Sequence, residues 1–132
     1  MATSTAQPST GLLLLASVLG IVPIGLGINC VLRPKNALSL FELDYPILPA
    51  QQQVVDALLV IYGARDVFMG MATYISAFYG GRKGLGATTI AVASMAAVDG
   101  AVCRLMVGHG EWNHWGFAPV LAILGAYLLV AE

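Results

Sequence analysis

Tyr62-Gly63-Ala64-Arg65-Asp66 sets an arginine beside an aspartate inside an apolar segment, residues 54–79, and Asp99 falls inside a second one, residues 85–107. Charge at hydrocarbon depth costs at least about 2.5 kcal/mol per group, so residues held there serve either a structural cluster or a site. Counted from a turn centred on Arg82, Asp66 lies sixteen residues before and Asp99 seventeen after. If both segments are helices folded back at that turn, their depths differ by only about 1.5 Å. The two aspartates then meet, with Arg65 one residue to the side.

Two carboxyls sharing a low-dielectric site do not both ionise cheaply; one keeps its proton while a neighbouring guanidinium favours the anion of the other. That arrangement supplies a general acid and a general base together. Helical spacing adds Tyr62 one turn from Asp66 and Cys103 one turn from Asp99. Arg104 stands about one turn from the end of its segment, where it either snorkels to the interface or turns inward. Asn29, in the first apolar segment, needs a polar partner, and an interhelical hydrogen bond is its simplest role. On residue types alone three readings stay open: a buried Arg-Asp cluster that holds helices together, a proton or ion pathway, and acid-base catalysis on a lipophilic substrate.

Other chemistries find no footing. There is no histidine-rich cluster for iron, no carboxylate-histidine pairing for a di-metal bundle, no Gly-rich phosphate loop after a strand and no Gly-x-Ser-x-Gly, so neither metal nor cofactor is expected. The two histidines, His109 and His114, both sit beside tryptophans. An interfacial histidine is the default for each, and His114 is the one placed to line a pocket mouth.

The elements that must position these residues follow from composition. The 132 residues are 58% hydrophobic and 10% charged, with a mean hydropathy of +0.82. So little polar surface cannot cover a soluble globule, and the chain reads as one integral membrane domain. Six Lys and Arg nearly cancel seven Asp and Glu, and no basic run tracks phosphates, which argues against nucleic acid as a partner. Cys30 and Cys103 lie in apolar segments and read as packing thiols. The polar start, Met1 to Thr10, lacks the basic n-region of a signal peptide, so the apolar stretch after it is expected to be retained.

Four spans are expected, at about 11–32, 54–79, 85–107 and 114–130, forming an all-α antiparallel four-helix bundle. Pro23 and nearby glycines in the first predict a bend and a close helix neighbour. A connection of about twenty residues follows, with Phe41, Glu42, Asp44, Tyr45, Pro34, Pro46 and Pro49. It reads as an amphipathic cap at the interface rather than a plain linker. Asp56 is expected in the first turn of the second helix, as a structural charge at its positive end. Gly80 to Gly84 makes a tight turn, and the third helix, rich in Ala and Gly, is expected innermost. Trp112 and Trp115 suggest an aromatic belt. Both loop sides carry equal numbers of positive residues; an even number of spans puts both termini on the side of the Arg82-Lys83 turn. Small faces at Gly80, Gly84 and Ala87 make a homodimer plausible.

Tyr62-Gly-Ala-Arg-Asp66, Asp99-Gly-Ala-Val-Cys-Arg104, Gly108-His-Gly and Trp112-Asn-His-Trp115 together resemble a family of small four-helix membrane proteins known mainly from fungi and long labelled a domain of unknown function. The resemblance covers about Gly11 to Tyr127. Some members belong to clusters making polyene pyrones with cyclic ether rings, where they look like epoxide hydrolases or epoxide-opening cyclases. The resemblance therefore implies a cofactor-independent enzyme, expected in the endoplasmic reticulum membrane, that opens an epoxide on a lipophilic polyketide drawn from the bilayer. An Asp-Arg-Asp group is similar to that of the soluble limonene-epoxide-hydrolase type of enzyme. By that likeness Asp99 is the base and Asp66, held by Arg65, the acid, with the reverse assignment nearly equivalent. Tyr62, Arg104, Asn29 and His114 are the expected substrate contacts, Tyr62 hydrogen-bonding the developing alkoxide.

Overall fold

A computed structural model describes residues 9–130, and the chain is all-helical there. The polar start expected to precede a retained first helix lies mostly outside the described residues. Three helical stretches are long and apolar enough to cross a membrane: Thr10–Leu32, Gly81–Val107 and Trp112–Val130, the last counted across a short break, and the span expected at about 54–79 is not among them.

Helix α1, Thr10–Leu32, starts at Ser9, whose side chain accepts a hydrogen bond from the Leu12 amide. It runs unbroken through Pro23. The connection after it contains a short helix, α2, Pro34–Ser39, opened by a proline whose missing N–H would have been unpaired anyway. The same device opens α3, Pro49–Tyr79, so this helix starts well before Val54 and absorbs the three glutamines. Asp56 is consequently not in the first turn, contrary to expectation. It instead accepts a 2.8 Å hydrogen bond from the Tyr45 hydroxyl, which ties the connection to α3 and raises the Tyr45 phenol above its ordinary range.

Helix α4, Gly81–Val102, follows α3 with only Gly80 between them, so the turn is tighter than the five residues expected. Gly81 takes φ +58°, a backbone that L side chains rarely adopt. A Cβ on Gly80 would meet Gly84 and Ser76, so the close approach within the turn requires glycine there. A π-helical turn, Cys103–Val107, prolongs α4 until Gly108 ends it at φ 92°. The last segment is not one helix but two, α5, Trp112–Trp115, and α6, Ala118–Val130. Pro119 explains the break, because its ring would crowd the carbonyl of Trp115 in a continuous helix.

The tightest packing joins α1 to α3 and α4 to α6, with α3 against α4 less extensive. Gly27 faces Gly63, and Gly20 faces Gly70, so closely that a Cβ on Gly27, Gly63 or Gly70 would strike backbone across the interface and one on Gly20 would strike the Tyr74 ring. A Cβ on Gly86 would stand 2.8 Å from the Gly125 carbonyl oxygen. Small residues thus bring backbones together where lipid supplies no hydrophobic drive. The Ala- and Gly-rich α4 packs against α1, α3, α5 and α6, and the α1–α3 and α4–α6 pairs enclose a space between them.

Candidate functional site

Tyr62, Arg65 and Asp66 share one face of α3, since residues three and four apart in a helix lie together. Asp99 meets them from α4. The Arg65 guanidinium reaches Asp99 with two parallel bonds, Nη1 to Oδ1 at 3.2 Å and Nη2 to Oδ2 at 3.0 Å. It also donates to Asp66 Oδ1, from Nε at 3.1 Å and from Nη2 at 3.0 Å. One oxygen of each aspartate is therefore 3.0 Å from the same nitrogen, and the two lie no farther apart than about twice that. Planarity lets one guanidinium serve two carboxyls. The Tyr62 hydroxyl donates to Asp99 Oδ2 at 2.7 Å, and the Arg65 charge sits 3.8 Å over the Tyr62 ring.

The two carboxyls are not equivalent. Asp99 receives three hydrogen bonds across both oxygens, but its Oδ1 accepts only one and keeps a lone pair free. Asp66 is engaged through Oδ1 alone among the described residues, leaving Oδ2 open. Both residues are buried, and Ser76 and Thr88 hydrogen-bond nearer the turn at 2.6 Å. Contacts thus move back along α3 as they advance along α4, which is how Arg82-centred counting brings Asp66 and Asp99 to one level.

This cluster lies in the wall of a cavity of about 310 Å³ whose remaining lining is mostly apolar, with Met69 of α3, Val92 of α4, Leu26 of α1 and Leu121 of α6 among its lining residues. That size and character, an apolar hollow with a few convergent polar groups, suit a small-molecule site. Phe41, from the connection before α3, also lines the cavity. It packs edge-on against Tyr62, with ring centroids 5.3 Å apart, and at 4.8 Å against the tilted ring of His114. His114 is buried and lines the cavity, and among the described residues its Nε2 has no hydrogen-bond partner. His109 is exposed.

Two expected contacts lie elsewhere. Arg104 points away, its Nη1 donating to the Gly108 carbonyl at 3.0 Å and facing Glu111 at 3.6 Å. Asn29 is half-buried on α1 and does not line the cavity. Trp115 packs on α4: its ring lies where a Cβ of Gly100 would be, and its Nε1 donates to the Ala97 carbonyl at 3.0 Å. It wedges α4 beside Asp99, while Trp112 stays exposed. Both cysteines are free and buried, and the described residues hold no group of three metal-ligating side chains.

Phe41 was the residue sequence reasoning left out of the site. Its signal was weak: one aromatic between Leu40 and Glu42 in a connection carrying several. The α1 wall gives no signal at all, because almost every residue of α1 is apolar and no position stands out.

The chain belongs to the family described as Domain of unknown function (DUF4267), which matches residues 20–128 and so includes every residue of the cluster. No curated protein and no solved structure matches the chain.

Proposed function

We propose that this member of a family with no assigned activity is a membrane-embedded epoxide hydrolase or epoxide-opening cyclase acting on a lipophilic substrate. The observation that carries the reading is a single arginine bridging two inequivalent carboxyls in the wall of an apolar cavity. In this proposal α3, 31 residues long with its buried charges turned inward, is the fourth span of an antiparallel bundle. The connection bearing Phe41 caps the site, and the protein resides in the endoplasmic reticulum. The sequence resemblance to fungal proteins of polyene-pyrone clusters supports an epoxidised polyketide as the substrate class.

The chemistry needs one proton taken and one given. Charge balance in an apolar wall favours one guanidinium, one carboxylate and one carboxylic acid. Asp99 Oδ1, with its spare lone pair, accepts the proton of water or of a hydroxyl on the substrate as that oxygen attacks an epoxide carbon. The carbon–oxygen bond breaks, and Asp66 Oδ2 gives its proton to the departing oxygen. The product is a vicinal diol from water or a cyclic ether from an internal hydroxyl. A proton returned from Asp99 to Asp66 restores the starting state. Tyr62 positions Asp99 in this scheme, because its hydroxyl proton is already given to Oδ2 and is not directed at the alkoxide. His114 Nε2 is left for a polar atom of the substrate.

The test is turnover of an epoxide by Asp66→Asn and Asp99→Asn, each reconstituted in lipid and checked for helical content. Each is expected to lose at least about 100-fold while remaining folded; wild-type turnover in both would sink the mechanism. The same bonds tie α3 to α4, which favours a second reading, a non-catalytic assembly protein or small proton-coupled carrier. That reading predicts Asn variants that lose folding or transport, from a wild type that forms no product.

A further inference from the structure

The cavity is shut on most sides, and the way each side is shut identifies the one that is not. Between α1 and α3 the backbones touch at Gly20, Gly27, Gly63 and Gly70, and between α4 and α6 at Gly86 and Gly125. Between α3 and α4 stand the Ser76–Thr88 bond and the Arg65–Asp99 bridge. At the end near the Gly80 turn, Ala16, Ala77, Leu85 and Leu128 form a packed core. At the opposite end Phe41 covers Tyr62 and His114, and its segment is fastened by Asn113 Nδ2, which donates to the Leu40 carbonyl and to Glu42, each at 3.3 Å.

Helices α1 and α6 are different. No Cα of one comes within 8 Å of a Cα of the other, although both contribute to the cavity wall. Val18 and Val22 of α1 and Phe117, just before α6, line the cavity and are also 64%, 57% and 43% exposed. They are the most exposed of the residues lining the cavity, and with no backbone contact between α1 and α6 they mark the rim of an opening. The opening is bordered by apolar side chains at the level where the helices would meet hydrocarbon, with the charged cluster behind it.

We infer that the α1–α6 seam is a lateral portal, through which a ligand with an oxygen-bearing head and a long apolar tail enters from the bilayer, its head at Arg65 and its tail left trailing between Val22 and Leu121. The inference deepens the proposed function and rests on it only for the identity of the head as an epoxide. A tail that stays in the seam need not fit within about 310 Å³, so selection acts on the head and tolerates tails of differing length.

The experiment uses the full chain in lipid nanodiscs and two readouts: photolabelling by a long straight-chain terminal epoxide bearing a diazirine, with the labelled peptides mapped, and hydrolysis of that epoxide against hydrolysis of propylene oxide. Val22→Trp and Leu121→Trp place bulk in the seam from its two sides, and Val60→Trp places it on the exposed face of α3 away from the cavity. The wild type should label on α1 and α6. The double seam variant should lose labelling by at least about tenfold, a difference of about 1.4 kcal/mol in apparent binding. Val60→Trp should label as the wild type, and lengthening the tail should leave labelling unchanged. Wild-type labelling in the seam variant, or labels confined to other faces, would overturn the portal. Labelled seam peptides without hydrolysis of either epoxide would leave the portal standing and remove the epoxide reading; hydrolysis of the long epoxide undiminished by the seam variant would do the reverse.

Discussion

Arg65 and Arg104 each face acidic partners, yet they occupy opposite physical regimes. Arg65 lies against two buried carboxyls in a fixed fork, its side chain 26% exposed, whereas Arg104 is 59% exposed and meets Glu111 at a loose 3.6 Å. In water such a pair is screened and contributes about 0–1 kcal/mol. In a low-dielectric wall the same pairing becomes costly to break, because removing one member strands the other. The residue types do not distinguish the two arginines; what each helix face packs against does.

The comparison can be broken most forcefully at Arg65. Replacing it with Ala should lower thermal stability in detergent by about 3–5 kcal/mol, because two carboxyls lose their shared partner, and should abolish turnover; unchanged melting would mean that the bridge is not formed in the membrane. Arg65→Lys keeps the charge but not the fork and should recover most of that stability with little of the activity. Next comes the packing that holds the fork in place. Gly63→Val inserts bulk against the Gly27 carbonyl and Cys30 and is expected to cost about 1–3 kcal/mol, read as a lower melting temperature.

Tyr62→Phe removes one hydrogen bond to Asp99 and should weaken stability by about 1 kcal/mol with a modest fall in the rate constant. A fall seen only in apparent substrate affinity would reassign Tyr62 from positioning Asp99 to holding substrate. The smallest effect is expected at Arg104→Ala, within about 0–1 kcal/mol and with turnover near wild type. A large loss there would erase the distinction between the two arginines.

How much of this is legible in the chain itself differs from element to element. The meeting of Asp66 and Asp99 follows from counting along two helices, because a helix advances a fixed distance per residue and the hairpin leaves little freedom in register. Helix α3 begins at Pro49, before the expected residue 54, because a proline in the first turn is a strong start signal, and the break before α6 follows from Pro119. Those are local effects that a residue-by-residue reading can recover. Phe41 and His114 are of another kind, brought together across about seventy residues of chain by contacts that no spacing rule encodes.

By itself, then, the sequence determined that the chain is helical and apolar and that its buried charges share one level, since each depends on composition or on helical rise; of the four spans it led one to expect, three helical stretches are long and apolar enough to cross a bilayer. Only the tertiary structure decided that Arg65 bridges both carboxyls, that Arg104 turns away, and that α1 and α6 stand apart. Those outcomes depend on which glycine faces meet, and a helix as uniformly apolar as α1 carries no mark in its own sequence of the neighbour it lacks.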